Sequence, residues 1–253
     1  MTKMLCGYRV LDITQFVAGP TCSRLMAELG ADVIKVELTP IGDHARRSGL
    51  RSRKKEYANC TQSTYFAQHN HSKRSIAINI KSNKGQALVK KLIEQSDVLV
   101  ENFAPGVIGR MGLSYEEVKK INPEIIMCSI SFAGQEGPLA NEPGFDYMAA
   151  AYAGITEMIG ENDRSPSQVS MAVGDSATGI SAAMAVVVAL LHRERTGEGQ
   201  FIDCSLLDTY LQMHEDYIPR VGLRGDAASP ERSGSQHPNG GPTGIFECGD
   251  GSC

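Results

Sequence analysis

The fold is decided by residues 9–37, RVLDITQFVAGPTCSRLMAELGADVIKVE. Residues 9–13 are a short apolar segment typical of a strand, and residues 31–37 are a second one after Gly30, a residue suited to end a helix. Four apolar residues between them share the i, i+3, i+4 and i+7 spacing of one helical face: Cys22, Leu25, Met26 and Leu29. Strand, helix and strand with short links predict a βαβ unit with parallel strands.

The same alternation continues through the first half of the chain. Ser114 and Glu117 form a capping-box pattern at the start of one helix. Three further strands and one amphipathic helix are predicted at 75–80, 97–101, 124–131 and 84–95. We therefore predict an α/β fold with a Rossmann-like, open and mostly parallel sheet that carries helices on both faces.

The second half is richer in helix. We predict helices at 147–159, 175–195 and 206–217, a strand at 201–204, and a linker or functional loop at 219–242. The helix at 175–195 is apolar nearly all round, which is typical of a buried core helix. Residues 245–248 are typical of a strand, yet the turn after them leads to no hairpin partner, so we expect a truncated chain.

Composition excludes several classes of protein. The 253 residues carry 25 Lys and Arg against 29 Asp and Glu, and this net charge of −4 argues against a nucleic-acid binder. The longest apolar run, 182–191, is too short to span a membrane, and residues 1–7 do not have the apolar core of a signal peptide. Seven scattered cysteines without a CxxC pair predict reduced thiols and a cytoplasmic location.

Several common motifs are missing from the sequence. The loop after the first strand, 16–20, contains no GxGxxG, which disfavours a nicotinamide-dependent dehydrogenase. The chain also contains no GxSxG elbow and no P-loop. His69 and His71 alternate in a strand-like stretch without a third ligand, so we expect no metal site. A basic cluster is either a solvated face or a site for a phosphorylated ligand: Arg46, Arg47, Arg51, Arg53, Lys54 and Lys55.

Two aspartates are the candidates for chemistry. Asp175, in Gly174-Asp175-Ser176, directly precedes an apolar helix, so it is expected to be an N-cap. The same position also suits a nucleophile, because a carboxylate with a pKa near 3.9 is ionised at neutral pH and needs no base. Asp146 precedes an Ala-rich helix and is likewise expected to be an N-cap.

The ordered set of motifs resembles the class III CoA-transferases (the CaiB/BaiF family), which include formyl-CoA transferase, carnitine CoA-transferase and α-methylacyl-CoA racemase. The resemblance implies that Asp175 attacks an acyl-CoA thioester to form an aspartyl anhydride and then an aspartyl-CoA thioester. The matching segments run in register over nearly the whole chain: 9–12, 18–20, 29–37, 42–43, 73–76, 97–103, 105–106, 110–112, 143–146, 174–176, 179 and 196–200.

The resemblance also assigns residues that bind substrate. It implies CoA contacts from Phe16, Val17, Asn102, Phe103, Arg110 and Met111, with Phe145 and Asp146 lining the site. Gly240 and Gly241, after Asn239, lie at about the place of a mobile glycine loop that covers the site in some members. Leu38 departs from formyl-CoA transferase, which has a CoA-binding arginine there. Phe145 replaces the histidine of the racemases and cannot transfer a proton, which disfavours racemase chemistry.

The resemblance finally predicts the organisation of the protein. Residues 1–218 are expected to form the Rossmann-like CoA-binding and catalytic domain, and 219–253 a linker and the start of a smaller, truncated domain. Acyl-CoA and a carboxylic acid are the expected substrates, no cofactor is expected to be bound permanently, and the full-length chain is expected to form an interlocked homodimer. The alternatives are an incomplete CoA-binding fragment, an acyl-CoA racemase and a nicotinamide-binding protein.

Overall fold

The computed structural model describes residues 3–50, 62–225, 231–238 and 240–251. Within these ranges the strands are β1 (Arg9–Asp12), β2 (Asp32–Leu38), β3 (Arg74–Ile78), β4 (Val98–Glu101), β5 (Ile126–Ser131) and β6 (Phe201–Ser205). The α-helices are α1 (Ala18–Glu28), α2 (Thr64–Asn70), α3 (Asn83–Ile93), α4 (Val107–Arg110), α5 (Tyr115–Ile121), α6 (Asp146–Tyr152), α7 (Val173–Thr196), α8 (Leu206–Gln212) and α9 (Tyr217–Arg224). Short 3₁₀ turns cover His44–Arg47 and Thr156–Met158.

The described strands form one parallel sheet in the order β3-β2-β1-β4-β5-β6. This order reverses direction between β1 and β4. In open α/β sheets the ligand crevice lies beyond the carboxyl ends of the strands at such a reversal. The predicted Rossmann-like sheet is therefore confirmed, and the sheet proves to be parallel throughout its described strands.

Helices cover both faces of the sheet, as predicted. Val10 and Val98 point to the face that α1 and α7 cover, where they pack with Met26 and Val186. Leu11, the next residue along β1, points to the opposite face, where α3 and α5 pack. Because neighbouring residues of a strand face opposite sides, strands covered on both faces are mostly apolar, which is the pattern of residues 9–13 and 126–130 apart from Arg9, Asp12 and Ser129.

The contact between α1 and α7 depends on a glycine. A Cβ on Gly179 would stand 2.6 Å from the carbonyl oxygen of Ala18 and 2.7 Å from Cβ of Thr21, so a side chain would not fit there. The missing Cβ lets the two helix backbones approach closely. Gly30 ends α1 with φ of +109°, the left-handed conformation that the sequence predicted for it.

The prediction that residues 175–195 form a buried core helix is correct for only one face of that helix. One face of α7 packs on the sheet and on α1, but an apolar stripe on the other face is exposed: Ile180, Met184, Val187, Val188 and Leu191. The apolar composition was correct, but it does not say which face is covered. By length and composition alone α7 could cross a membrane, a test that core helices of globular proteins also pass.

Three other segments differ from prediction. The helix predicted at 147–159 ends at Tyr152, because Gly154 takes a positive φ of +80°. The helix predicted at 206–217 divides into α8 and α9, so the predicted linker begins inside α9. Residues 245–248 form no strand.

A buried network of charges lies beneath the carboxyl end of β1. Lys35 is 1% exposed, and its Nζ lies 3.0 Å from Asp43 Oδ2 and 3.8 Å from Asp12 Oδ1. Lys73 Nζ lies 2.9 Å from the other oxygen of Asp12. Burial alone would raise the pKa of Asp12, but Lys35 and Lys73 hold it well below its usual value.

The same network holds the loop that follows β1. Lys35 donates to the carbonyl oxygen of Thr14 at 2.8 Å, and Asp43 Oδ1 accepts from the backbone N–H of Phe16 at 3.1 Å. Phe16 takes φ of +65°, a conformation that residues other than glycine adopt only when their surroundings enforce it. The buried charges therefore fix the path of the chain between β1 and α1.

We expect Lys35→Met to lower the free energy of unfolding by about 3–5 kcal/mol, because it leaves two buried carboxylates short of a cation. Urea denaturation measures this loss. The exposed Lys84 on α3 provides the control, since Lys84→Met should change stability by only about 0.5 kcal/mol. Equal effects of the two substitutions would contradict the structural role of the network.

Candidate active site

Asp175 and Asp146 meet at the N-terminus of α7. The helix begins at Val173, so Asp175 is its third residue and not the predicted N-cap. Asp146 is likewise the first residue of α6, with Phe145 as N-cap. Its Oδ1 instead accepts the backbone N–H of Asp175 at 2.9 Å. Asp146 therefore satisfies the start of a neighbouring helix, a long-range contact that local sequence patterns do not reveal.

Tyr210, on α8, completes this arrangement. Its hydroxyl donates to Asp146 Oδ1 at 2.9 Å and accepts the backbone N–H of Gly174 at 3.0 Å. A Cβ on Gly174 would stand 2.2 Å from the Tyr210 ring, so only glycine fits beside it. Burial raises the pKa of Tyr210 to about 12, with a further rise from Asp146, so the hydroxyl remains a donor at neutral pH.

The two carboxylates have different surroundings. Asp146 has the hydrogen-bond donors described above, whereas the Asp175 carboxylate accepts no hydrogen bond from the described residues. Burial, and then the negative charge of Asp146, raise the pKa of Asp175 to about 7. The expectation of a pKa near 3.9 is therefore wrong, because it took no account of burial or of a second acid close by.

Aromatic side chains surround Asp175 in a cavity of about 330 Å³. The Phe16 ring lies edge-on to Phe145, with centroids 6.1 Å apart, and Phe145 stacks on Tyr147 at 6.5 Å. Tyr65 lines the same cavity. Burial, followed by the charge of Asp175, raises the pKa of Tyr65, so its hydroxyl is protonated at neutral pH and can donate a hydrogen bond.

The N-terminal N–H groups of α7 are already engaged. Val173 and Ser176 donate to Met171 and Ala172 carbonyl oxygens, while Gly174 and Asp175 donate to side chains. The first turn therefore offers no free backbone donor to a substrate oxygen. Its contribution to charge stabilisation is limited to the helix dipole.

The loops after β1 and β4 are joined at the reversal of strand order. Asn102 Oδ1 accepts the backbone N–H of Gln15 at 2.8 Å, and Asn102 Nδ2 donates to Gln15 O at 2.7 Å. Of the residues that the resemblance assigns to CoA, Val17 is buried, and Phe103 and Met111 pack partly buried against the core. Asn102 thus holds the Phe16 loop against the loop after β4.

The remaining predicted residues lie apart from Asp175. Arg110 is exposed and forms no ion pair with any described residue. Gly240 and Gly241 are exposed and do not line the cavity, and Asn239 lies outside the described residues. Of the basic cluster, Arg46 pairs with Glu37 at 2.6 Å, Arg47 is exposed, and Arg51, Arg53, Lys54 and Lys55 lie outside the described residues.

The structure reveals no metal site in the part of the chain that it describes. His69 lies on α2 and not on a strand. The predicted alternation of His69 and His71 along a strand is therefore wrong. Burial lowers the pKa of His69 to about 4. The described cysteines are free thiols.

Sequence reasoning missed two tyrosines of the site. Tyr65 lies in a polar stretch for which the sequence predicts no helix or strand of the sheet, and Tyr210 lies within an ordinary helical pattern. Neither residue carries a local signal, because each reaches the site through tertiary packing. The one local signal is Gly174, because a glycine beside an expected helix start is compatible with a side chain packed against the backbone at that point.

Comparison with known proteins identifies the class. A model described as "CoA-transferase family III" matches residues 5–253, and the chain therefore belongs to that family. A succinyl-CoA:glutarate CoA-transferase from Mus musculus is 40% identical across 98% of this chain. A succinyl-CoA–D-citramalate CoA-transferase from Chloroflexus aurantiacus is 38% identical across 99% of it. The crystal structure of a CAIB/BAIF family protein from Brucella suis superimposes with a TM-score of 0.87, at 35% identity over 99% of this chain.

This chain spans only part of the length of these proteins. It covers 55% of the mouse protein and 60% of the Chloroflexus protein. It covers 65% of the Brucella chain. The part of this chain that the family model matches includes the residues of the sheet and both aspartates.

We expect Asp175→Asn to raise the melting temperature at pH 7.5 but not at pH 4. Folding raises this pKa from 3.8 to about 7, so ionising Asp175 costs stability progressively as the pH rises from about 4 to about 7. The amide removes that cost, which is on the order of a few kcal/mol. Thermal unfolding across this pH range measures the difference.

The exposed Asp163 supplies the control, because Asp163→Asn should leave the difference between the two pH values unchanged. If the melting temperature of Asp175→Asn at pH 7.5 is no higher than that of the parent, the raised pKa of Asp175 is contradicted.

Proposed function

We propose that this chain carries the catalytic aspartate of a CoA-transferase, which moves CoA from an acyl-CoA to a carboxylic acid through covalent intermediates on Asp175. One observation carries the proposal: the Asp175 carboxylate faces a cavity, lies beside a second acid, and accepts no hydrogen bond from the described residues. A carboxylate without donors is poorly solvated, and this makes it a stronger nucleophile.

The proposed reaction begins when an Asp175 oxygen attacks the thioester carbonyl carbon. The C–S bond breaks, and CoA leaves as the thiolate, which produces a mixed anhydride of the acyl group with Asp175. The thiolate then attacks the aspartyl carbonyl, so the donor carboxylate leaves and an aspartyl-CoA thioester remains. The acceptor carboxylate repeats these two steps in reverse order, and this releases the new acyl-CoA and free Asp175.

Asp146 has a positioning role in this scheme. Its negative charge destabilises the ionised form of Asp175, and its Oδ1 holds the Asp175 backbone at 2.9 Å. Acylation removes the charge of Asp175 and so relieves the repulsion between the two acids. The anhydride is therefore favoured relative to the free carboxylate, although only to the extent that the site stays closed to water.

The surroundings of Asp175 also suit a thioester and disfavour racemisation. Phe16, Phe145 and Tyr147 supply an aromatic wall, and the Tyr65 hydroxyl is one of the donors available to a carbonyl oxygen. Phe145, in the position before Asp146, cannot shuttle a proton. We assign the exposed Arg110 to a phosphate of CoA, since a guanidinium binds phosphate in a bidentate manner.

Incubation with an acyl-CoA followed by hydroxylamine or borohydride should modify Asp175, because both reagents react with activated acyl groups. Peptide mass spectrometry locates the modified residue. Asp175→Ala should abolish transfer, while its affinity for CoA stays within a few-fold of that of the parent. CoA binding without an adduct would instead indicate a CoA-binding fragment, and a large loss of affinity would indicate a structural role for Asp175.

The rate of adduct formation should rise with pH and reach half of its maximum near pH 7, because only the ionised form of Asp175 attacks. Asp146→Asn removes the neighbouring charge but keeps an acceptor oxygen for Tyr210, so the midpoint should move below 7. Single-turnover kinetics from pH 5 to pH 9 measures the midpoint. Asp163→Asn should not change it, and an unchanged midpoint in Asp146→Asn would refute the role of the acid pair.

A further inference from the structure

Glu101 is a buried acid that the proposed reaction does not use. It is the last residue of β4 and is 1% exposed. We propose that Glu101 is a positioning residue, whose carboxyl group holds the loop after β4 so that this loop holds Phe16 at the wall of the Asp175 cavity. The inference rests on the proposed function, because it requires a thioester to occupy that cavity.

Three hydrogen bonds connect Glu101 with the loop after β1. Its Oε2 accepts the backbone N–H of Phe103 at 2.8 Å, which fixes the chain on both sides of Asn102. The Asn102 side chain in turn bonds to both backbone groups of Gln15, the residue before Phe16. Phe16 lines the cavity, and Glu101 does not. The position of this aromatic wall therefore depends on a carboxyl group that lies outside the cavity.

This path holds Phe16 from the side of β4. The buried charges beneath β1 hold it from the side of β2, where Asp43 Oδ1 accepts its backbone N–H at 3.1 Å. Phe16 needs firm support, since its φ of +65° is a conformation that the surroundings must enforce. The two supported loops flank the reversal of strand order between β1 and β4, where open α/β sheets bind their ligands.

An acid at this position is costly to the fold. Residues i and i+2 of a strand share a face, so Glu101 lies on the same side as Leu99, where α3 and α5 pack. Ser129 lies opposite it on β5, and Asp203 lies opposite Ser129 on β6. Burial raises the pKa of Glu101 to about 7 against the lowering effects of Ser129 and the Phe103 N–H, and the charge of Asp203 adds a smaller rise.

The hydrogen bond to the loop accounts for this costly residue. A leucine would be cheaper to bury between the sheet and its helices, but it offers no acceptor to the Phe103 N–H. A glutamine is neutral and keeps an acceptor oxygen. Glu101→Leu therefore removes the contact with the loop, and Glu101→Gln removes only the charge.

Amide hydrogen exchange, followed by NMR at pH 7.5, tests the path. The Phe103 amide of the parent should exchange at least about tenfold more slowly than in an unfolded chain. Glu101→Leu should accelerate exchange at Phe103 and Gln15 by about tenfold, since one hydrogen bond is lost. Asn102→Ala should accelerate it at Gln15 alone, and Glu101→Gln at neither. An unprotected Phe103 amide in the parent would overturn the inference, whatever the variants do.

Calorimetric titration tests the effect on the ligand site. Acetyl-CoA is titrated into each variant combined with Asp175→Asn, so that no covalent step follows binding. Glu101→Leu should weaken binding by about five- to tenfold, and Glu101→Gln should stay within about twofold of the parent. Glu116, an exposed acid on α5, supplies the control, because Glu116→Leu should leave the affinity unchanged.

Thermal unfolding distinguishes positioning from a merely structural role. Ionising Glu101 costs stability as the pH rises from about 4.5 to about 7. Glu101→Leu removes this cost, so its melting temperature at pH 7.5 should not fall even though its affinity does. If affinity and melting temperature fall together, the fold as a whole is weakened and the positioning role is refuted.

The adduct experiment separates the two proposals. Weaker binding of acetyl-CoA in Glu101→Leu, without any adduct on Asp175 in the unsubstituted protein, would refute the transferase and support the positioning role. Adducts on Asp175, together with an unchanged affinity in folded Glu101→Leu, would refute the positioning role and leave the transferase in place.

Discussion

Two lysines and two aspartates withdrawn from water hold the site in place. Lys35 lies between Asp12 and Asp43, and Lys73 meets Asp12 from the other side. Burying these charges is costly, and losing one of them destabilises the fold strongly. The sheet, the loop after β1 and the turn that contains Asp43 must therefore form together. Phe16 takes its positive φ at the point where these three segments meet.

The acid pair shows how one fold gives two carboxylates different properties. Asp146 accepts hydrogen bonds from a tyrosine hydroxyl and a backbone N–H. Asp175 receives neither from the described residues, and its pKa moves to about 7. Titratable neighbours whose environments separate them in this way are typical of catalytic sites. Here the pKa shift of Asp175 follows from its burial and from the negative charge of Asp146 beside it.

The sequence predicts those parts of the structure that depend on local periodicity. The βαβ unit of residues 9–37 and the end of α1 at Gly30 follow from spacing and from the conformational freedom of glycine. The capping roles of the aspartates were predicted wrongly, because Asp146 bonds to a helix 29 residues further along the chain. Tyr210 could not be predicted for the same reason. One face of α7 is exposed although it is apolar. Apolar composition therefore predicts that a helix can be buried, but not which of its faces is covered.

The glycine at the crossing of α1 and α7 has a consequence for ligand recognition. Gly179 lies one turn after Asp175, and the Ala18 carbonyl that it touches lies two residues after Phe16. The separation between opposite walls of the cavity is therefore set by a contact between two helix backbones that no ligand reaches. Proteins with the same lining residues but a bulkier residue at this crossing would have a wider cleft, so the identities of the lining residues alone do not define the size of the ligand.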